Sequence, residues 1–301
     1  MNNGTVTFSF DCEGKWGMTD IPTPWDVSLT RANLLQAYEF ILETLHQYEI
    51  PATFAFVGAF TQNREQFLDE TFSKLSSKSY STWLDYSRER IINEAEEGWF
   101  MPELLDMVKE YNTHEIASHG FSHIPFDMLD KVDARTELSL VKDWAENNKI
   151  KCETLVYPRN AVAHPDLLKE YGILGYRDLP DVIFSDKLPK IFKTLFEEIW
   201  VYKKAQQLEA SDPIKIPGGV FINWQYNFRQ YIPTFVSLLK YKHIVKDAEQ
   251  RNGVAHFWLH PHNLITSPST KLLFEKLCAE IARRRDEYGL VVRRQKDYIS
   301  E

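Results

Sequence analysis

The chain has 301 residues, 44% of them apolar, and 35 lysines and arginines against 43 aspartates and glutamates, a formal net charge of −8; the length suits one α/β barrel, and the acidic balance argues against nucleic acid or an anionic membrane as main partner. Cys12, Cys152 and Cys278, odd in number and without a Cys-x-x-Cys pair, suggest neither a disulfide framework nor a zinc ribbon and point to a reducing compartment. No basic-then-apolar leader opens the sequence and no run approaches the roughly 18 apolar residues of a membrane span, so a cytoplasmic protein is expected.

A β-type run, Val6 to Phe10, leads into Asp11-Cys12-Glu13-Gly14-Lys15-Trp16-Gly17. On an extended backbone alternate side chains share a face, so Asp11 and Glu13 point together and Cys12 points away. Taken alone, such acids serve equally well as a turn or helix cap. The prolines of Ile21-Pro22-Thr23-Pro24-Trp25 exclude a helix and place a loop over the strand's end. Apolar residues at helical spacing (Leu34, Leu35, Tyr38, Ile41, Leu42, Leu45) predict a helix from about Leu29 to Tyr48, ended by Ile50-Pro51 before a second strand, Ala52 to Val57. Strand, helix, strand is the repeating unit of a parallel α/β fold.

The polar region from Thr61 to Trp99 reads as a solvated helical excursion whose aromatics, Tyr80 and Trp83, pack underneath; a substrate-facing lid is the other reading. Trp16 and Trp99 are the aromatic candidates for substrate contact. A β-prone piece then precedes His119 and His123, whose spacing of four places two imidazoles on one face of a helical turn, a bite for a divalent metal, although the spacing alone has weak specificity. His114 lies outside that pair and is read as structural. An amphipathic helix, about Asp133 to Asn147, precedes a buried strand, Thr154 to Tyr157, which ends in Pro158-Arg159-Asn160. An arginine there either orients a carboxylate through two hydrogen bonds or joins a surface ion pair.

A helix over Pro165 to Tyr171 leads to a short strand, Gly175-Tyr176-Arg177-Asp178. The region from Asp181 to Gln230 lacks a clear period; Ile216 to Phe221 reads as a turn, and Trp224, Tyr226 and Phe228 read mostly as core, with a sugar-stacking wall as the alternative. Ala255 to Leu259 is a compact strand that delivers His260-Pro261-His262-Asn263, and a histidine at such a mouth can donate a proton near neutrality or be buried against a partner. A helix from Lys271 to Tyr288 and an edge strand, Leu290 to Arg293, close the fold. No repeat or linker interrupts the chain, so residues 1–301 read as one domain.

In this order, Phe8-Ser9-Phe10-Asp11-Cys12-Glu13-Gly14, Ser118-His119-Gly120-Phe121-Ser122-His123, Tyr157-Pro158-Arg159-Asn160 and Leu259-His260-Pro261-His262-Asn263 resemble the signature motifs of the polysaccharide deacetylase family, to which nodulation-type chitooligosaccharide deacetylases belong. The resemblance implies a distorted (β/α)7-type barrel, a divalent metal, usually zinc, at the strands' carboxyl ends, and hydrolysis of an N-acetyl group from a sugar, with a place in surface polysaccharide or glycan synthesis. It implies that His119 and His123 are metal ligands and Asp11 the general base. Where the common motif has a second aspartate directly after the base, this chain has Cys12. Glu13 fits the variant with its ligand two residues after the base, and the shared strand face supports it. A Cys12 thiolate ligand and an exchange of roles between Asp11 and Glu13 remain open. Arg159 resembles the arginine that orients the base and His260 the proton-donating histidine; His262 is a substrate-contact candidate and Asp178 the candidate acidic partner of His260. Two rival readings are metal-free hydrolysis of a non-sugar amide or cyclic ureide on the same fold, and a catalytically silent sugar-binding barrel.

Overall fold

A computed structural model describes residues 4–21, 23–24, 26–93, 97–180, 190–200 and 202–299. Pro22 and Trp25 of the expected loop, and 94–96 of the helical excursion, lie outside these. The strands are β1 (Thr5–Cys12), β2 (Thr53–Phe56), β3 (Glu115–Ser118), β4 (Thr154–Val156), β5 (Gly175–Arg177), β6 (Ile214–Ile216), β7 (Val220–Phe221), β8 (Val254–Leu259) and β9 (Val291–Arg293). They form one parallel sheet in the order β6-β5-β4-β3-β2-β1-β8-β7, with β9 paired to the start of β1. The main helices are α1 (Arg31–Gln47), α2 (Pro102–Glu110), α3 (Lys131–Asn147), α4 (Lys190–Ile199), α5 (Thr234–Arg251) and α6 (Pro268–Tyr288). This is the distorted (β/α) barrel that the motifs implied, open between β6 and β7, which Pro217-Gly218-Gly219 connects. β6 and β7 escaped the sequence reading because three and two residues show no period.

Alternation along β1 sorts its side chains into two environments. Phe8 and Phe10 point outward into a ring of aromatics with Phe54, Phe257 and Phe274, all fully buried; each contributes about 2–3 kcal/mol of burial. Thr5, Thr7, Ser9 and Asp11 point into the barrel, which is filled by hydrogen-bonded polar groups. Tyr298 Oη bridges Thr5 and Thr7 (3.1 and 2.7 Å), and the Glu115 carboxylate accepts from Thr53, Thr154 and the Lys296 amide. The C-terminal segment thus plugs the barrel at the strands' amino ends and leaves the carboxyl ends open, the end at which such barrels carry their chemistry.

Halfway up, His256 donates from Nδ1 to the Pro217 carbonyl (2.6 Å) and accepts from the Ser9 hydroxyl at Nε2 (2.8 Å). Burial and the nearby Arg177 push its pKa down to about 3, and burial pushes that of His114 down to about 4. Both are therefore neutral in the fold and would charge in the unfolded chain below about pH 6.5, where unfolding gains protons and stability falls with falling pH. Lowering the pH from 7 to 5 should cost about 1–2 kcal/mol per histidine, measurable by urea titration; His256→Asn and His114→Asn should each flatten that slope.

Candidate active site

The carboxyl ends of β1, β3, β5 and β8 converge on a cleft of about 360 Å³. Glu13 is at its centre. One carboxylate oxygen lies 3.5 Å from His119 Nε2 and 2.8 Å from His123 Nε2, and the other lies 3.5 Å from His260 Nε2. Gly17 permits this close approach, because a Cβ there would meet Glu13 Oε1 at 2.2 Å. Burial acts to raise the Glu13 carboxyl, but His260 and His123, with His119, hold it well below the usual carboxylate range.

His119 and His123 do not sit on a helical turn. They leave β3 in an irregular loop, with Gly120 (φ 73°) and His123 (φ 59°) in the left-handed region. The two imidazoles nevertheless meet, their centroids 4.9 Å apart. The loop is held from behind by the buried Glu137 of α3, whose Oε1 accepts from the amides of Phe121 and Ser122 (both 2.7 Å) and whose Oε2 accepts from Ser122 Oγ and Tyr80 Oη (3.0 and 2.9 Å). Trp83 Nε1 donates to the Ser122 carbonyl (3.3 Å). The helical excursion therefore does what its core reading required: its aromatics pack beneath the histidine loop. Glu137→Ala should leave the amides of Phe121 and Ser122 without their acceptor and lower metal affinity about tenfold or more, as loss of groups that orient ligands does; calorimetric zinc titration reads this directly.

The donor set fits a divalent ion. Ligand atoms of Glu13, His119 and His123 all lie within 4.8 Å of one another. His119 donates from Nδ1 to the Val156 carbonyl (2.8 Å), which leaves the Nε2 lone pair facing the cleft. Burial lowers the pKa of His123 against the opposing pull of Glu13, and its Nε2 lies close to Glu13 without the alignment of a hydrogen bond. Cys12 does not join them. It faces the outer layer, fully buried, and burial raises its thiol well above the ordinary range, so no thiolate is available at the cleft.

Asp11 sits beside Glu13 but is held by Arg177 of β5, not by Arg159. The Arg177 guanidinium donates to both carboxylate oxygens at 2.7 Å, and also to Ser9 Oγ and Asn160 Oδ1 (both 3.1 Å), while lying 4.5 Å from the Trp258 ring. Burial would raise the Asp11 pKa; Arg177, followed by His119, lowers it below the ordinary value. Arg159 adopts a left-handed backbone (φ 55°) that turns its side chain to the rim, where it pairs with Asp20 (2.5 Å) and covers Trp83. Arg177 was visible in the sequence only as charge at the end of a short strand.

His260 leaves β8 with Nδ1 3.3 Å from Asn263 Oδ1, its ring stacked on the buried His262 (4.9 Å), which burial and His260 push down to a pKa of about 3. Asp178 lines a separate surface cleft and hydrogen-bonds through its amide to Ile216, so the polar partner of His260 is an asparagine. Trp16 and Trp99 are not substrate contacts: both are fully buried behind the cleft, packed edge to face and tied by Trp16 Nε1 to the Trp99 carbonyl (2.7 Å). The aromatic wall comes from elsewhere. Trp224, lying 9° from parallel to Tyr226, lines the cleft with Phe221, Trp258 and His262. Trp224 thus departs from the core reading, because its strandless setting carries no period to place it.

A family model described as polysaccharide deacetylase matches residues 26–178; this span includes His119, His123, Arg159 and Arg177, with β1, Glu13, His260 and His262 outside it. Among solved structures, a protein described as a polysaccharide deacetylase from Mycobacterium smegmatis is similar at TM-score 0.63 and 15% identity, covering 100% of this chain and 90% of that one. The Puue allantoinase is similar at TM-score 0.58 and 13% identity (98% and 89% covered). A 4-alpha-glucanotransferase from Thermococcus litoralis is similar at 0.53 and 16%, over 100% of this chain and 41% of that one. At these identities the likeness is one of fold. A search of curated proteins finds no match.

Proposed function

The chain belongs to the polysaccharide deacetylase family, and from that premise we propose that it is a metal-dependent hydrolase removing an N-acetyl group from a sugar, a cytoplasmic intermediate of surface-glycan synthesis being the expected substrate. The observation that carries this reading is the convergence of Glu13, His119 and His123 on one point beside an ion-paired Asp11. A divalent ion held by those three residues, zinc being the expected one, would polarise the acetyl carbonyl and acidify an attacking water.

Asp11 takes the proton of that water. Each of its oxygens accepts one hydrogen bond from Arg177 and keeps a further lone pair free, so the base is oriented without being blocked. Arg177 also favours its ionised form. His260, with Nδ1 directed at Asn263, presents Nε2 to the cleft and delivers a proton to the departing amine. The amide bond breaks to acetate and the free amino sugar. Trp224, backed by the stacked Tyr226, lines the cleft as an aromatic residue of the kind that contacts a sugar face. Acetate release from nucleotide-linked and lipid-linked N-acetyl sugars, with and without chelator, tests the reading. Release that stops with chelator and returns with zinc supports it, and chelator-insensitive release refutes the role of the metal.

A further inference from the structure

One bond accounts for half of the Asn160 side chain. A guanidinium has donors and no acceptor, so the atom of the Asn160 amide that faces Arg177 Nη2 at 3.1 Å is its oxygen, and the NH2 group is turned away from that contact. Asn160 Nδ2 makes no hydrogen bond among the described residues. The residue is half-buried and lines the cleft. The same Arg177 nitrogen donates to Asp11 Oδ2 at 2.7 Å, which sets Asn160 beside the base.

The backbone does not need this side chain. Arg159 and Asn160 both take left-handed φ angles, 55° and 54°, uncommon for two successive residues other than glycine and tolerated by asparagine better than by most. Asparagine in such a turn commonly caps backbone groups nearby. Here the Asn160 amide already donates to the Tyr157 carbonyl (2.9 Å) and its carbonyl accepts from the Val162 amide (3.0 Å). The side chain reaches instead to Arg177, and its two N–H groups are left for the cleft.

The neighbouring polar groups are committed elsewhere. In the proposed reaction the three ligand residues, Asp11 and His260 each have a task, Asn263 is bonded to His260, and Arg159 is bonded to Asp20. Phe221, Trp224 and Trp258 supply apolar wall. A sugar hydroxyl that leaves water for such a cleft needs a new partner. We propose that Asn160 is a specificity-determining residue whose side-chain amide donates to a ring hydroxyl of the N-acetyl sugar, so that the sugar ring is recognised beside the base; this rests on the deacetylase reading. A contact already made in the bound substrate acts mainly on KM.

Asn160→Gly removes the side chain and suits the left-handed backbone, so it introduces no strain; stoichiometric zinc binding by the variant shows that its cleft is intact. Acetate release by the zinc-loaded parent and variant is compared on N-acetylglucosamine and on its monodeoxy analogues, a cycle between one side chain and one hydroxyl. The parent should lose about tenfold in kcat/KM, mainly through KM, on the analogue that lacks the contacted hydroxyl. The variant should be about tenfold weaker on the full sugar and no longer distinguish that analogue from it. If Asn160 serves only to hold Arg177, the variant loses one common factor on every sugar, and that result overturns the proposal. Failure of the deacetylase reading looks different: the parent releases no acetate from any of these sugars, and calorimetric binding of the same set then runs the same cycle without turnover.

Discussion

Asp11→Asn should lower the rate of acetate release by about 10³-fold while zinc still binds stoichiometrically. The substitution preserves shape and removes the ability to take a proton, and the proposed ligands Glu13, His119 and His123 are untouched by it. The expected loss is therefore in kcat, with KM little changed, because the carboxylate acts on the attacking water and not on the bound sugar. The rates are best compared at saturating zinc and well below the melting temperature, since the amide also leaves the Arg177 guanidinium, 1% exposed, without its charge partner. Activity within about tenfold of the parent would move the base to Glu13, the exchange of roles that the motif alone leaves open.

Arg177→Met and Arg159→Met should separate sharply. Arg177 makes four hydrogen bonds inside the barrel, two of them to Asp11, and removing one partner of a buried ion pair costs about 3–5 kcal/mol. Arg159 pairs with Asp20 at the rim with both side chains roughly a third exposed, where such a pair is worth about 1 kcal/mol or less. Urea denaturation should place the two variants several kcal/mol apart. Arg177→Met should also raise the Asp11 pKa and shift the acidic limb of the rate profile upward, while Arg159→Met leaves that limb in place. Equal effects would mean that the guanidinium on β5 does not orient the base.

These two arginines show where a sequence can be read and where it cannot. Asp11 and Glu13 were legible because the two-residue alternation of a strand is local, and Ala255 to Leu259 delivered His260 for the same reason. Asp11 and its arginine are 166 positions apart, and nothing within either segment distinguishes Arg177 at the end of one short strand from Arg159 at the end of another. The distinction is made by backbone conformation: a left-handed φ turns Arg159 outward, whereas Arg177 is at an inward position of β5. Glu137 was hidden likewise, one acidic residue on an amphipathic helix until the fold places it behind the histidine loop. His119 and His123 were found for a reason that was only partly right, since the geometry that joins them is a glycine-containing loop and not a helical turn.

X-ray absorption at the zinc edge of the loaded protein tests the central claim most directly. Two imidazole nitrogens and a carboxylate oxygen at about 2.0–2.1 Å, with the signal altered in Glu13→Ala and unchanged in Cys12→Ala, are the predicted result. A sulfur neighbour at about 2.3 Å, lost in Cys12→Ala, would contradict the account.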